Sequence, residues 1–263
     1  MYILIKKNLK YIKIAFLLLI FYFFSVQYSN FDFQLLNSVK VIDLILSLLL
    51  LGLGTSCFAY YWSLLLNNEN NKFKIFEGVI CYFQGQLGKY LPGSVWSIAG
   101  RIGLAVEKGI EFKKASKITT LHLIHLWGNC LIIGAIFYFK NSFFVAACLL
   151  ALFFYSTHSK TPYFLYFIGW ISIGFSYVII SSNILKVETF DIIFSSLFSW
   201  LGGFLFIPSP SGIGIREYLF AYFLNNESLF YDAILVASLS RILTVINDFG
   251  LTAILSIMNK IKN

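Results

Sequence analysis

Charge is scarce in this chain of 263 residues: Asp, Glu, Lys and Arg together make up 12%, about half the ~25% of an average soluble domain. With 59% hydrophobic and 19% aromatic residues, that scarcity excludes disorder and argues against a soluble globular domain. Cysteines number 4 and histidines 3. Cys57, Cys81, Cys130 and Cys148 lie inside apolar segments without metal-ligand spacing and read as small residues of membrane helices. No metal site and no cofactor are expected. There is no nucleotide-binding loop, so ATP drive is not expected either. The N-terminus, MYILIKKNLKYIK, runs into an apolar stretch with no small-residue cleavage site and reads as an uncleaved first helix.

What the chain has instead is long apolar runs of about 16 to 28 residues, where about 20 suffice to cross a bilayer as a helix. The expected fold class is an all-α polytopic membrane protein, one transmembrane domain over residues 1–263. The net charge of +8 sits in short loops between the apolar runs. It therefore speaks for membrane topology and against a nucleic-acid partner.

Crossings are expected at about Tyr11–Tyr28, Val39–Leu66, Ala115–Phe139, Ser142–Thr157, Tyr163–Asn183 and Asp232–Met258. Two further apolar segments are broken. Ile75–Leu104 is interrupted by Pro92 and Gly93, and Phe190–Leu224 by IPSPSGIG. Each runs as apolar half-helix, proline, glycines, one arginine, then a second apolar stretch. The order helix, helix, broken segment, helix thus occurs twice, with a boundary near residue 140. If the broken segments dip in and return, an odd number of crossings per half inverts the second half. An inverted repeat of residues 1–140 and 141–263 is the expectation, and paired breaks of this kind point to a transport site.

With the N-terminus in the cytoplasm and six crossings, Lys6, Lys7, Lys10, Lys13, Lys72, Lys74, Lys108, Lys113, Lys114, Lys117, Lys160, Lys260 and Lys262 face the cytoplasm. Only Lys40, Lys140 and Lys186 face outward, the bias of the positive-inside rule. Both termini are expected to be cytoplasmic.

Lys89, Arg101, Arg216, Glu217, Arg241 and Asp248 lie in or beside apolar segments. A charge at membrane depth is costly and normally faces the protein interior or a water-filled cavity. Four of these six are cations. Broken helices also expose half-helix N-termini that attract anions. An anionic guest is therefore expected, with Gly212 and Gly214 letting the backbone approach it, Arg216 as a planar fork and Lys89 as a point charge. The competing reading makes Arg216 a structural partner of Glu217 or Asp248, and Arg241 of Asp248. His122 and His125, one turn apart, read as interhelical hydrogen-bonding groups more readily than, with Asn129, as a polar path. Trp127, Trp200 and Tyr90 read as packing or interfacial aromatics, while Trp96, which follows a break, reads as site-shaping. Glu107 and Glu111 read as a solvated face among lysines.

The stretches GQLGKYLPGSVWSIAGR, from Gln84, and PSPSGIGIRE, Pro208 to Glu217, resemble the two signature motifs of the lysylphosphatidylglycerol synthase/flippase transmembrane family. That family includes the membrane half of bacterial multiple peptide resistance factors, and membrane proteins of polysaccharide and glycolipid pathways. By this resemblance Lys89, Tyr90, Pro92, Gly93, Trp96 and Arg101 match the first motif. Pro208, Gly212, Gly214, Arg216 and Glu217 match the second, and Arg241 resembles the arginine of the final helix. Where the second motif usually has two adjacent glycines, Ser211 replaces the first. These 263 residues include no stretch read as the aminoacyl-transferase domain that makes lysylphosphatidylglycerol, so what the resemblance leads one to expect is only the flippase-like half.

The leading expectation is a translocator of an anionic lipid, or an accessory to one, in the cytoplasmic membrane of a bacterium or archaeon. The lipid would carry a phosphate head, as an aminoacyl or ordinary phospholipid or as a polyprenyl-phosphate glycolipid. An expected protein partner is a glycosyltransferase or an aminoacyl-transferase. The alternative is a non-transporting scaffold for a glycosyltransferase, docked through the basic loop EKGIEFKKASK. An enzyme is not expected. Lipid phosphatases of the phosphatidic-acid-phosphatase type need histidines where Ile213 and Asn247 stand.

Overall fold

The computed structural model describes residues 32–69, 73–91, 95–138, 163–206 and 209–262. The expected crossings at Tyr11–Tyr28 and Ser142–Thr157 lie outside them, as do Pro92, Gly93 and Pro208. Among the described residues every regular element is helical. The α-helices are α1 (Val41–Glu69), α2 (Ile75–Gln86), α3 (Trp96–Glu107), α4 (Phe112–Tyr138), α5 (Phe164–Ser181), α6 (Thr189–Leu205), α7 (Ile215–Phe223) and α8 (Phe230–Lys262).

Four helical stretches are long and apolar enough to cross a membrane: Val41–Glu69, Phe112–Tyr138, Phe164–Ser181 and Glu227–Ile261. Their outward faces carry exposed Leu49, Ile124, Phe164 and Ile254, apolar surface that water does not tolerate in quantity and lipid does. The inward faces are rich in small and hydroxyl residues. Ser47 on α1 donates to the carbonyl of Ser176 on α5 at 3.0 Å. A Cβ at Gly54 would lie 2.7 Å from the carbonyl oxygen of Gly169, so these helices meet nearly backbone to backbone. Lipid tails are as apolar as leucine, so membrane helices associate through close approach and hydrogen bonds of this kind.

α4 is held by a buried polar cluster. Tyr166 of α5 sits 2.7 Å from His122 Nδ1, and Tyr61 of α1 lies 3.3 Å from His125 Nδ1. Trp62 donates to Thr119 at 3.2 Å, and Asn129 donates back to the His125 carbonyl at 2.9 Å. The two histidines thus tie α4 to α5 and α1, the interhelical role expected of them.

Each broken segment turns back on itself. α2 packs on α3 and α6 packs on α7. At the first break α2 tightens into a 3-10 turn, Leu87–Tyr90. At the second a short 3-10 turn, Pro210–Gly212, leads into α7. The two turns touch each other.

Candidate anion site between the two breaks

Arginine needs a cradle to sit inside a helical bundle, and the chain builds two of like design. In the first, Arg101 of α3 lies over the Tyr82 ring, 4.9 Å from its centroid. Its stem crosses α2 at Gly85, where a Cβ would lie 2.6 Å from the Arg101 backbone nitrogen. In the second, Arg216 of α7 lies over the Trp200 ring at 5.2 Å. Its stem crosses α6 at Gly203, where a Cβ would collide with it. In both, the aromatic residue stands one helical turn ahead of the glycine. Each guanidinium carbon thus stands within cation–π distance of its ring.

The guanidinium nitrogens are under-satisfied. Arg101 and Arg216 are 2% and 9% exposed. Arg101 Nε donates to the Ser97 carbonyl at 3.2 Å, but Arg101 Nη1 and Arg216 Nε are buried with no partner. The 12 acidic residues of the chain all lie within the described residues, and none of them pairs with either arginine.

The carboxylates at this depth are committed elsewhere. Asp248 of α8 pairs with Lys89 at 2.5 Å and accepts from the Tyr90 hydroxyl at 2.5 Å. Glu217 accepts from the Gly214 amide at 2.7 Å and stands 3.9 Å from Arg241 Nε. Arg241 also donates to the Ser211 carbonyl at 2.6 Å. These are not the partners that the competing reading of structural pairs named. Arg216 pairs with neither Glu217 nor Asp248, and Arg241 pairs with Glu217 rather than Asp248. The reason is reach along α8. Arg241 and Asp248 are about two turns apart, so one engages the second break while the other engages the first.

Ser211 stands at φ 53° and ψ 19°, a left-handed conformation that L-residues adopt at a cost. That backbone turn aims its carbonyl at Arg241. Gly212 follows at φ 74°, where a Cβ would lie 2.5 Å from the Gly203 carbonyl oxygen. Glycine is required there on both counts.

Lys89, Arg101, Arg216 and Arg241 line one enclosed cavity of about 60 Å³, to which all eight helices contribute. It has room for a few water molecules, the scale of a phosphate group rather than of a sugar ring. Larger grooves lie on the outside of the bundle, but they are open and apolar; the charge is in the small one. Among the other expected residues, Tyr90, Glu217 and Asp248 support the cations from behind, and Gly212 and Gly214 shape the second turn. Trp96 is 51% exposed and does not line the cavity; its carbonyl packs where a Cβ at Gly88 would stand. Sequence reasoning missed Tyr82, Gln86, Ser97, Tyr177 and Thr244, which all line the cavity. The matched spacing of Tyr82 to Gly85 and Trp200 to Gly203 was the available signal for the cradles. The chain matches no protein-family model, no curated protein and no solved structure.

Proposed function

We propose that this chain is a flippase-like membrane protein that translocates, or assists in translocating, an anionic lipid across the cytoplasmic membrane. The observation that carries the reading is the enclosed cavity with four cations, two of them arginines without a carboxylate. Buried charge without a partner is strongly unfavourable, so an arrangement of this kind calls for an anion to complete it. A phosphate head suits it, because guanidinium edges bind phosphate oxygens with directed, charge-assisted bonds.

The mechanism follows from the pairs already present. A phosphate entering the cavity competes with Asp248 for Lys89 and with Glu217 for Arg241. Each exchange loosens the hold of α8 on one of the two breaks. An open apolar groove of about 670 Å³ runs between α1 and α8. It adjoins the cavity where Asn247 donates to Thr55 at 3.1 Å. The tails would lie in this groove, in contact with lipid, while the head passes the polar contact into the cavity. The small closed cavity is then the occluded state of an alternating-access cycle.

The finer architecture belongs to the same proposal: six crossings, both termini cytoplasmic and an inverted repeat. Its support is the pattern of helix packing. Exchanging α1 with α5, α2 with α6, α3 with α7 and α4 with α8 leaves the pairing of α1 with α5 as it is and turns every other helix–helix pairing into one that is also present. The pairing of α1 with α2 becomes that of α5 with α6, and the pairing of α4 with α6 becomes that of α8 with α2.

A test is reconstitution of the purified protein into liposomes with labelled lipid. Movement above empty vesicles is expected for a phosphate-headed lipid. It should be lost in the double variant Lys89→Ala, Arg216→Ala although the protein still inserts. No movement for any phospholipid or polyprenyl-phosphate class would remove the reading. A second reading, a docking scaffold for a glycosyltransferase, is favoured by exposed Lys108 after α3 and exposed Lys113, Lys114 and Lys117 at the start of α4. Pathway function retained in the double variant would select it.

A further inference from the structure

We infer that the cavity selects a phosphate group carrying two negative charges, a lipid phosphomonoester or a lipid diphosphate, over a phosphodiester or an aminoacylated phosphodiester. The inference rests on the proposed anion site and names which anion fits it.

The cavity holds an excess of positive charge that the protein cannot relieve. Lys89 and Arg241 each have a carboxylate beside them, Asp248 and Glu217. Arg101 and Arg216 have none, and no acidic residue of the chain is left to supply one. Two positive charges therefore remain uncompensated around a single cavity. A buried lysine or carboxylate can shed its charge by titration, but a guanidinium does not deprotonate in proteins. The excess must be met by the guest. A phosphodiester head brings one negative charge and leaves one arginine unmatched. An aminoacyl phosphodiester brings cationic amines as well, which the cavity repels. A phosphomonoester or diphosphate brings about two negative charges and terminal oxygens on more than one side.

The geometry agrees with the charge. Tyr82 and Trp200 each lie against one guanidinium, and Arg101 Nη1 and Arg216 Nε are buried without hydrogen-bond partners. Two like cradles bordering one small space match a group that offers oxygens to both. The size of the cavity, about 60 Å³, admits the phosphate alone, so whatever the phosphate carries must lie beyond it.

The experiment is a binding panel on the full-length protein in detergent, using lipids of one tail type. Its arms are a lipid phosphomonoester, a lipid diphosphate, a phosphodiester lipid and its aminoacyl derivative, with free inorganic phosphate and pyrophosphate as competitors. The dianionic lipids should bind at least about tenfold more tightly than the phosphodiester, the effect of one charge-assisted contact. In Arg101→Gln and Arg216→Gln the preference should shrink to about threefold or less, while Arg101→Lys and Arg216→Lys should keep more of it. Because the panel on the unaltered protein is decisive alone, a variant that fails to fold does not blunt the test. Equal or tighter binding of the phosphodiester or aminoacyl lipid overturns the inference and leaves the lipid-translocating reading standing. Free pyrophosphate binding as tightly as the diphosphate lipid keeps the anion and removes the lipid. Binding of none of these removes the site itself.

Discussion

Gly203 and Gly103 are both helical glycines, and their surroundings predict opposite outcomes. At Gly203 a Cβ would run into the stem of Arg216, while at Gly103 nothing lies within 4 Å. Gly203→Ala should therefore force Arg216 off its Trp200 ring and destabilise the protein by about 1–3 kcal/mol, as overpacking does. Gly103→Ala should be neutral or stabilising by about 0.5–1 kcal/mol, since alanine restrains the unfolded chain and favours helix. Thermal unfolding of the detergent-solubilised protein checks both. A lowered melting temperature for both variants alike would show that the arginine cradle is not what demands glycine at Gly203.

At the scale of elements, α8 is the brace. Along one face it sends Arg241 to the second break and Asp248 to the first, and further on Thr252 donates to the Phe83 carbonyl of α2 at 3.3 Å. Tyr90 also stacks on Phe249, ring centroids 5.5 Å apart. Removing one member of a buried ion pair leaves the other stranded, a loss of about 3–5 kcal/mol, whereas removing both is far less costly. Asp248→Asn is thus expected to destabilise severely, and Lys89→Met added to it should recover much of the loss. The double-mutant cycle, read by thermal unfolding, isolates the coupling. Additive effects of the two substitutions would mean that the pair does not hold the first break to α8.

For the molecule as a whole, the distribution of lysines predicts that both termini face the cytoplasm. Reporter fusions at each end, scored for activity on one side of the membrane, check it. A C-terminus on the outer side would require an odd number of crossings and would end the inverted-repeat proposal.

Much of the element-scale architecture was legible because a bilayer imposes it through length and hydropathy alone. The segments expected at Val39–Leu66, Ala115–Phe139, Tyr163–Asn183 and Asp232–Met258 correspond to α1, α4, α5 and α8, with ends shifted by a few residues. The breaks were legible because glycine and proline cannot continue a helix at no cost. The cations were legible because charge inside an apolar segment is itself anomalous. Tyr82, Gln86, Ser97, Tyr177 and Thr244 were not, because neutral polar residues in membrane helices serve packing as readily as binding. The ion pairs were not legible, because partners such as Lys89 and Asp248 come together from different halves of the chain.

The sequence by itself therefore determined that this is a chain of long apolar helices with two interruptions and few charges at depth. Hydropathy and backbone chemistry are local properties, written residue by residue. Only the tertiary structure decided which charges meet. Two cations find carboxylates on or beside the second break and on α8, and two arginines are left with aromatic faces instead. That outcome depends on which helices cross at which glycines, a matter of three-dimensional packing between segments far apart in the chain.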